Sequence, residues 1–144
     1  MRVGVDTSVL VAAVHANHPE HGAASAWIDT AFTTHEVVVA HHSIIEAFAV
    51  LTRLPAKYRL APSEAEMVLR ETLRDNVSIA PFESDTVWQV LTSIIAVPAA
   101  GGTSYDAFII YLLEAAQVDQ IVTYNVRDFR RLARDVGVAA PADV

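Results

Sequence analysis

Residues 2–10 read Arg2-Val3-Gly4-Val5-Asp6-Thr7-Ser8-Val9-Leu10, and the break at Asp6 decides the fold. A short apolar run ahead of the acid predicts a strand over residues 2–5. Behind it Thr7 or Ser8 is expected to cap a helix running through Val9, Leu10 and Val14. A strand thus feeds a helix across a single carboxylate. In open sheets built from such units the functional crevice lies beyond the carboxyl ends of the strands, so Asp6 marks the rim where chemistry is expected.

Outward from this unit the pattern alternates. Pro19 stands where a second helix would begin, with Ala23, Ala26, Trp27 and Phe32 as its apolar positions. Residues 37–40 are uninterruptedly apolar, as a buried parallel strand should be. A helix with the stripe Ile44, Ile45, Phe48 and Leu51 follows and ends near Leu54-Pro55; Ser63 with Glu66 then has the form of a capping box for the next helix. Residues 77–80 predict the third strand, 84–97 a helix and 98–102 a flexible loop. Ser104 is expected to cap a helix carrying Phe108, Ile109, Leu112 and Leu113. Residues 120–123 return to strand, 125–134 to helix, and Val138-Ala139 to a last short strand. The alternation predicts an α/β fold, a mostly parallel sheet of four to five strands with helices on both faces and right-handed crossovers. With no linker and no repeat, residues 1–144 are expected to form a single domain.

A chain of 144 residues with 53% hydrophobic and 19% charged side chains can bury a substantial core without staples. Cysteine is absent, which excludes a disulfide framework and a thiolate zinc site and fits a reducing compartment; the expected location is cytoplasmic. The apolar stretch 9–14 reads as a core helix, because Asp6 lies just before it and Arg2 alone supplies a basic flank. No apolar run approaches the roughly 20 residues of a membrane span, so a soluble protein is expected. A formal net charge of −7 argues against holding nucleic acid by bulk electrostatics. The basic residues gather locally, in Arg53, Lys57 and Arg59, in Arg70 and Arg74, and in Arg127, Arg130, Arg131 and Arg134. Such patches serve either as charge-paired helix faces or as guides for a nucleic-acid backbone.

Four acids fall at the predicted rim: Asp6 after the first strand, Glu46 early in the helix after the second, Asp106 behind Gly101-Gly102, and Asp128 at the opening of the last helix. Asp106 shares a face with Ile109, Ile110 and Leu113, and Glu46 one with Ala49 and Val50, so both are expected to point inward. Each acid alone also reads as an N-terminal helix charge favoured by the macrodipole. Their joint placement favours a site. No basic residue adjoins Asp6, Glu46 or Asp106 in sequence, so the natural partner is a hard divalent cation, Mg²⁺ or Mn²⁺, which would relieve their mutual repulsion and attract a phosphodiester. Metal held this way supports hydrolysis by an activated water. Thr7, Ser8 and Ser104 stand beside the acids, either to orient water or phosphate or simply as helix caps.

His15, His18, His21, His41 and His42 fit no common zinc spacing. A haloacid-dehalogenase-type phosphatase would need an acid where Ser8 stands, and a response-regulator receiver a lysine after a late strand, whereas the only one is Lys57 on a helix-to-helix loop.

Four segments together, Val5-Asp6-Thr7-Ser8-Val9-Leu10, Ser43-Ile44-Ile45-Glu46-Ala47-Phe48, Ser104-Tyr105-Asp106-Ala107 and Thr123-Tyr124-Asn125-Val126-Arg127-Asp128-Phe129, resemble VapC-type toxins, the ribonuclease halves of toxin–antitoxin pairs within the PIN-domain family. The resemblance spans essentially the whole chain. It implies a PIN fold, Mg²⁺- or Mn²⁺-dependent endoribonuclease activity on RNA, homodimerisation, and inhibition by a cognate antitoxin that occupies the site. By position Asp6, Glu46 and Asp106 match the family's core acids. Members differ at the fourth, where this chain offers Asn125 and Asp128; Asp128 is the expected outer ligand and Asn125 a hydrogen-bonding neighbour. The alternative is a PIN-like binding or regulatory module without catalysis. Tyr58, Tyr105, Tyr124 and Trp88 are available to stack bases, though in parallel α/β domains aromatics more often serve core or interface. A hydrophobic groove between the early helices is the expected antitoxin seat.

Overall fold

In the computed structural model, which describes residues 1–144, the β-branched runs assemble into one five-stranded sheet. Its strands are β1 (Arg2–Val5), β2 (Glu36–Val39), β3 (Ser78–Ile79), β4 (Gln120–Val122) and β5 (Gly137–Ala139), in the order β3-β2-β1-β4-β5. Every pairing is parallel, and Val5 stands level with Val39 on one side and Val122 on the other, so the three central strands end on a common rim. The chain proceeds from β1 outward to β2 and β3, then crosses back to β4 and β5. The topological switch point therefore lies between β1 and β4, directly above Asp6.

Parallel strands need crossovers, and the seven helices supply them. On one face α1 (Thr7–Val14), α2 (His21–Thr34), α3 (His41–Arg53) and α4 (Pro62–Leu73) close over Val3, Val5, Val37, Val39 and Val122. On the other, α6 (Thr103–Ala115) and α7 (Val126–Leu132) close over Val38, Ala40, Ile121 and Val138, with α5 (Thr86–Ile95) packed against α6. Neighbours along β2 and β4 thus serve opposite cores, as the period-two geometry of a strand requires. No helix is long and apolar enough to cross a membrane.

Local details correct several expectations. The cap of α1 is Asp6 itself, whose carboxylate accepts the Ser8 N–H, so neither Thr7 nor Ser8 caps the helix. The buried line of α2 is Ala24, Ile28 and Ala31, one residue out of phase with Ala23, while Trp27 and Phe32 pack partly buried at its edge. On α3 the inward stripe is Ser43, Ala47 and Leu51, and Ile45 stands 66% exposed. Small side chains let the helix approach there, so the larger Ile44 and Phe48 are displaced to its flank. The start of α4 is held by Glu64, whose carboxylate accepts the Ala61 N–H at 2.8 Å, with Pro62 as first residue; Glu66 instead pairs with Arg70. α6 begins at Thr103, whose hydroxyl engages the backbone of Ala100, so Ser104 is not the cap.

Candidate active site

The β1 and β4 ends are stitched together by two hydroxyls. Asp6, only 1% exposed, receives hydrogen bonds on Oδ2 from Ser8 Oγ at 2.7 Å, from Thr123 Oγ1 at 2.8 Å and from the Ser8 N–H at 3.2 Å. Each hydroxyl has one proton and directs it to Asp6, which leaves its lone pairs to accept: Ser8 Oγ takes the Tyr124 N–H at 3.0 Å and Thr123 Oγ1 the Asn125 N–H at 2.9 Å. The chain leaving β4 is thereby registered on the carboxylate leaving β1. Burial pushes the Asp6 carboxyl above its ordinary pKa, against the pull of these hydrogen bonds toward the ionised form.

Glu46, on α3, is oriented by Thr7 Oγ1, which donates to its Oε2 at 2.7 Å. Asp106 lies in the first turn of α6 with its pKa raised to about 6, first by desolvation and then by the fields of Asp6, Glu46 and Asp128. The inward faces expected for these acids are only partly present. Ile109, Ile110 and Leu113 are buried below Asp106, whereas Ala49, near Glu46, is exposed.

A cleft of about 500 Å³ opens over this cluster, lined by Asp6, Thr7, Ser8, Glu46, Asp106 and Asn125. Asp128 is exposed in the first turn of α7 and acts on Asp106 through its field, but it does not line the cleft; the nearer residue of the pair is Asn125. Ser104 lies outside it as well. His18, Glu20 and Tyr124 complete the wall from the α1–α2 connection and the end of β4. Sequence reasoning left His18 and Glu20 out of the site, since nothing local to residues 15–21 signals that the loop folds back over the rim, and named Tyr124 only within the resemblance segment and as a ring available to stack a base. His18 Nδ1 accepts the Glu20 N–H at 3.1 Å, which places the proton of the neutral ring on Nε2.

No cation of the chain answers these acids. The two ion pairs present, Arg2–Glu36 and Arg70–Glu66, are both elsewhere. As the side chains stand, no three acids or histidines close on a single point. An all-oxygen set of uncompensated carboxylates is nonetheless the donor chemistry a hard divalent ion takes, and the residues fit that group.

Residues 3–135 match the family model described as PIN domain. The chain is similar to Ribonuclease VapC27 of Mycobacterium tuberculosis (strain ATCC 25618 / H37Rv), 29% identical over 96% of this chain and 97% of that protein. Solved structures with a similar fold include two crystal structures. One is VapBC2 from Rickettsia felis bound to a DNA fragment from their promoter, with a TM-score of 0.69 at 15% identity over 97% of this chain and 98% of the other. The second is Mycobacterium tuberculosis VapC20, a sarcin–ricin loop cleaving toxin, also at 0.69, with 16% identity over 93% and 98%.

Proposed function

Because this chain belongs to the PIN-domain family, we propose that it is a divalent-metal-dependent endoribonuclease, the toxin of a toxin–antitoxin pair, hydrolysing RNA phosphodiester bonds at the Asp6–Glu46–Asp106 cleft. The observation that carries the reading is a group of carboxylates at the switch point of a parallel sheet with no basic side chain to balance them. The similarity to a ribonuclease over nearly the whole chain supports it.

Asp6, Glu46 and Asp106 would hold Mg²⁺ or Mn²⁺, which when bound supplies the positive charge that polarises the phosphoryl group and lowers the pKa of water. The chain's part is preorganisation. Ser8 and Thr123 hold Asp6 in one rotamer, Thr7 holds Glu46, Asn125 presents an amide at the cleft wall, and Asp128 adds negative potential from outside. Asp128 stands outside the cleft, so Asn125, on its wall, takes the fourth position. The partners in this reading are an RNA substrate, a second copy of the chain in a homodimer, and a cognate antitoxin, for which the VapBC2 structure is the parallel. An apolar groove of about 450 Å³ between α3, α4 and β3, with Ile44, Ile45 and Phe48 on its wall and Arg70 and Arg74 at its margin, offers a helix-in-groove seat. One domain over residues 1–144 and a chain without cysteine suit a cytoplasmic toxin.

The test is cleavage of single-stranded and structured RNA by purified protein with Mg²⁺ or Mn²⁺ and then with chelator, beside Asp6→Asn. Metal-dependent cutting that vanishes in the variant is expected. Absence of cutting with either ion would favour the silent binding module, and cutting that persists in the variant would remove Asp6 from the chemistry.

A further inference from the structure

Beside the cleft, α3 and α6 bring together an unbroken series of rings. His42 and Tyr105 lie face to face, centroids 5.1 Å apart and planes 8° from parallel. Phe108 closes on His42 at 5.5 Å and on His41 at 5.8 Å, and Phe82 packs against both His41, at 5.2 Å, and Phe108, at 5.6 Å. His41, His42 and Phe108 in the middle of the series are partly buried, whereas its two ends, Phe82 and Tyr105, stand 39% and 55% exposed. Tyr105 directly precedes Asp106 on α6, and His42 lies one helical turn before Glu46 on α3, so the ledge is carried by the same two helix starts as these carboxylates while its rings stand outside the lining of the cleft.

An exposed ring braced from behind loses little freedom when a ligand settles on it. What the ledge offers a ligand is π-surface and the polar tips of Tyr105 and His42. We propose that Tyr105, braced by His42, stacks a nucleobase next to the scissile phosphate and so directs the enzyme to unpaired RNA, whose bases have free faces. The assignment rests on the ribonuclease reading and names the side chain through which the protein would engage a base. A base in a duplex has both faces covered by its neighbours and cannot use such a ledge, whereas unstacked bases commonly settle on tyrosine or histidine.

The experiment measures fluorescence anisotropy of a short, fluorescein-labelled single-stranded RNA of mixed sequence with the Asp6→Asn protein, chosen to suppress cutting. Adding Tyr105→Ala should weaken binding about tenfold, as expected for loss of one stacked base, while Tyr105→Phe should stay within about twofold of the parent. Replacing the bases one at a time by abasic ribose should reveal one position whose loss costs the parent the same factor and costs the Tyr105→Ala protein nothing more. The thermal shift on adding Mn²⁺ to Tyr105→Ala with Asp6 intact should match that of the unsubstituted protein, separating stacking from damage to the carboxylates. Unchanged affinity in Tyr105→Ala, or an abasic penalty that survives in it, would overturn the stacking assignment while leaving the ribonuclease reading standing. If the unsubstituted protein neither cuts nor binds any RNA, both fall together.

Discussion

At the residue scale the cluster is organised around charge that the fold does not neutralise. Asp106 titrates near pH 6 in the folded protein, from an ordinary value of 3.8, so the folded chain binds the extra proton more tightly than the unfolded one. In chelator, stability should therefore fall as pH rises from about 4 to about 6 and stay reduced above that. Asp106→Asn removes the repelling charge. The side chain is half-buried and screened by water, so the gain at pH 7.5 is set at about 1 kcal/mol, or a rise in Tm of about 2–6 °C, with no advantage at pH 4. Thermal denaturation at the two pH values checks this, and Mn²⁺ should raise the Tm of the unsubstituted protein more than that of the variant. A variant no more stable than its parent at pH 7.5 would show that the Asp106 charge is neither desolvated nor repelled as described. The carboxylates themselves were legible in the sequence, because an acid set between an apolar strand and an apolar helix interrupts both patterns. The hydroxyl relay from Thr123 to Asp6 was not, since it joins residues 117 positions apart.

At the element scale the rim depends on how closely α6 lies on β1. A Cβ added at Gly4 would stand 2.9 Å from Leu113 Cδ1 and 3.3 Å from its Cγ, and Leu113 is fully buried. Gly4→Ala should cost about 1–3 kcal/mol by overpacking, read as a lower denaturation midpoint in urea. Combined with Leu113→Ala, the loss should be smaller than the sum of the single losses, because the second change opens the space the first one needs. Additive losses would mean that the two side chains do not meet. Helix positions were readable from apolar spacing, yet the inward face of α3 was misjudged. Spacing ranks residues by hydrophobicity, whereas a close helix contact selects small ones, here Ser43 and Ala47, and leaves Ile45 outside.

For the whole molecule, a net charge of −7 sets how RNA is held. Affinity should come from the metal, the ledge and a few arginines rather than from an extended basic surface. At sub-saturating single-stranded RNA the logarithm of the cleavage rate should fall with the logarithm of salt concentration with a slope of about −1.5 to −2, equivalent to two or three phosphate contacts at roughly −0.7 each. A slope several times steeper would require a basic tract that the composition does not contain, and a flat profile would remove the arginines from binding.

Local sequence was enough to settle the alternating α/β order, the parallel sheet and the three acids at its rim. Each rests on information confined to a short window: strand and helix periodicity, and the position of an acid relative to a strand end. Which neighbours share the cleft was settled by tertiary packing. It placed Asn125 on the wall and Asp128 outside it, brought His18 and Glu20 over the rim, and stacked Tyr105 on His42, 63 positions away. Such contacts are set by strand order and helix packing, which bring together residues whose local sequences carry no record of one another.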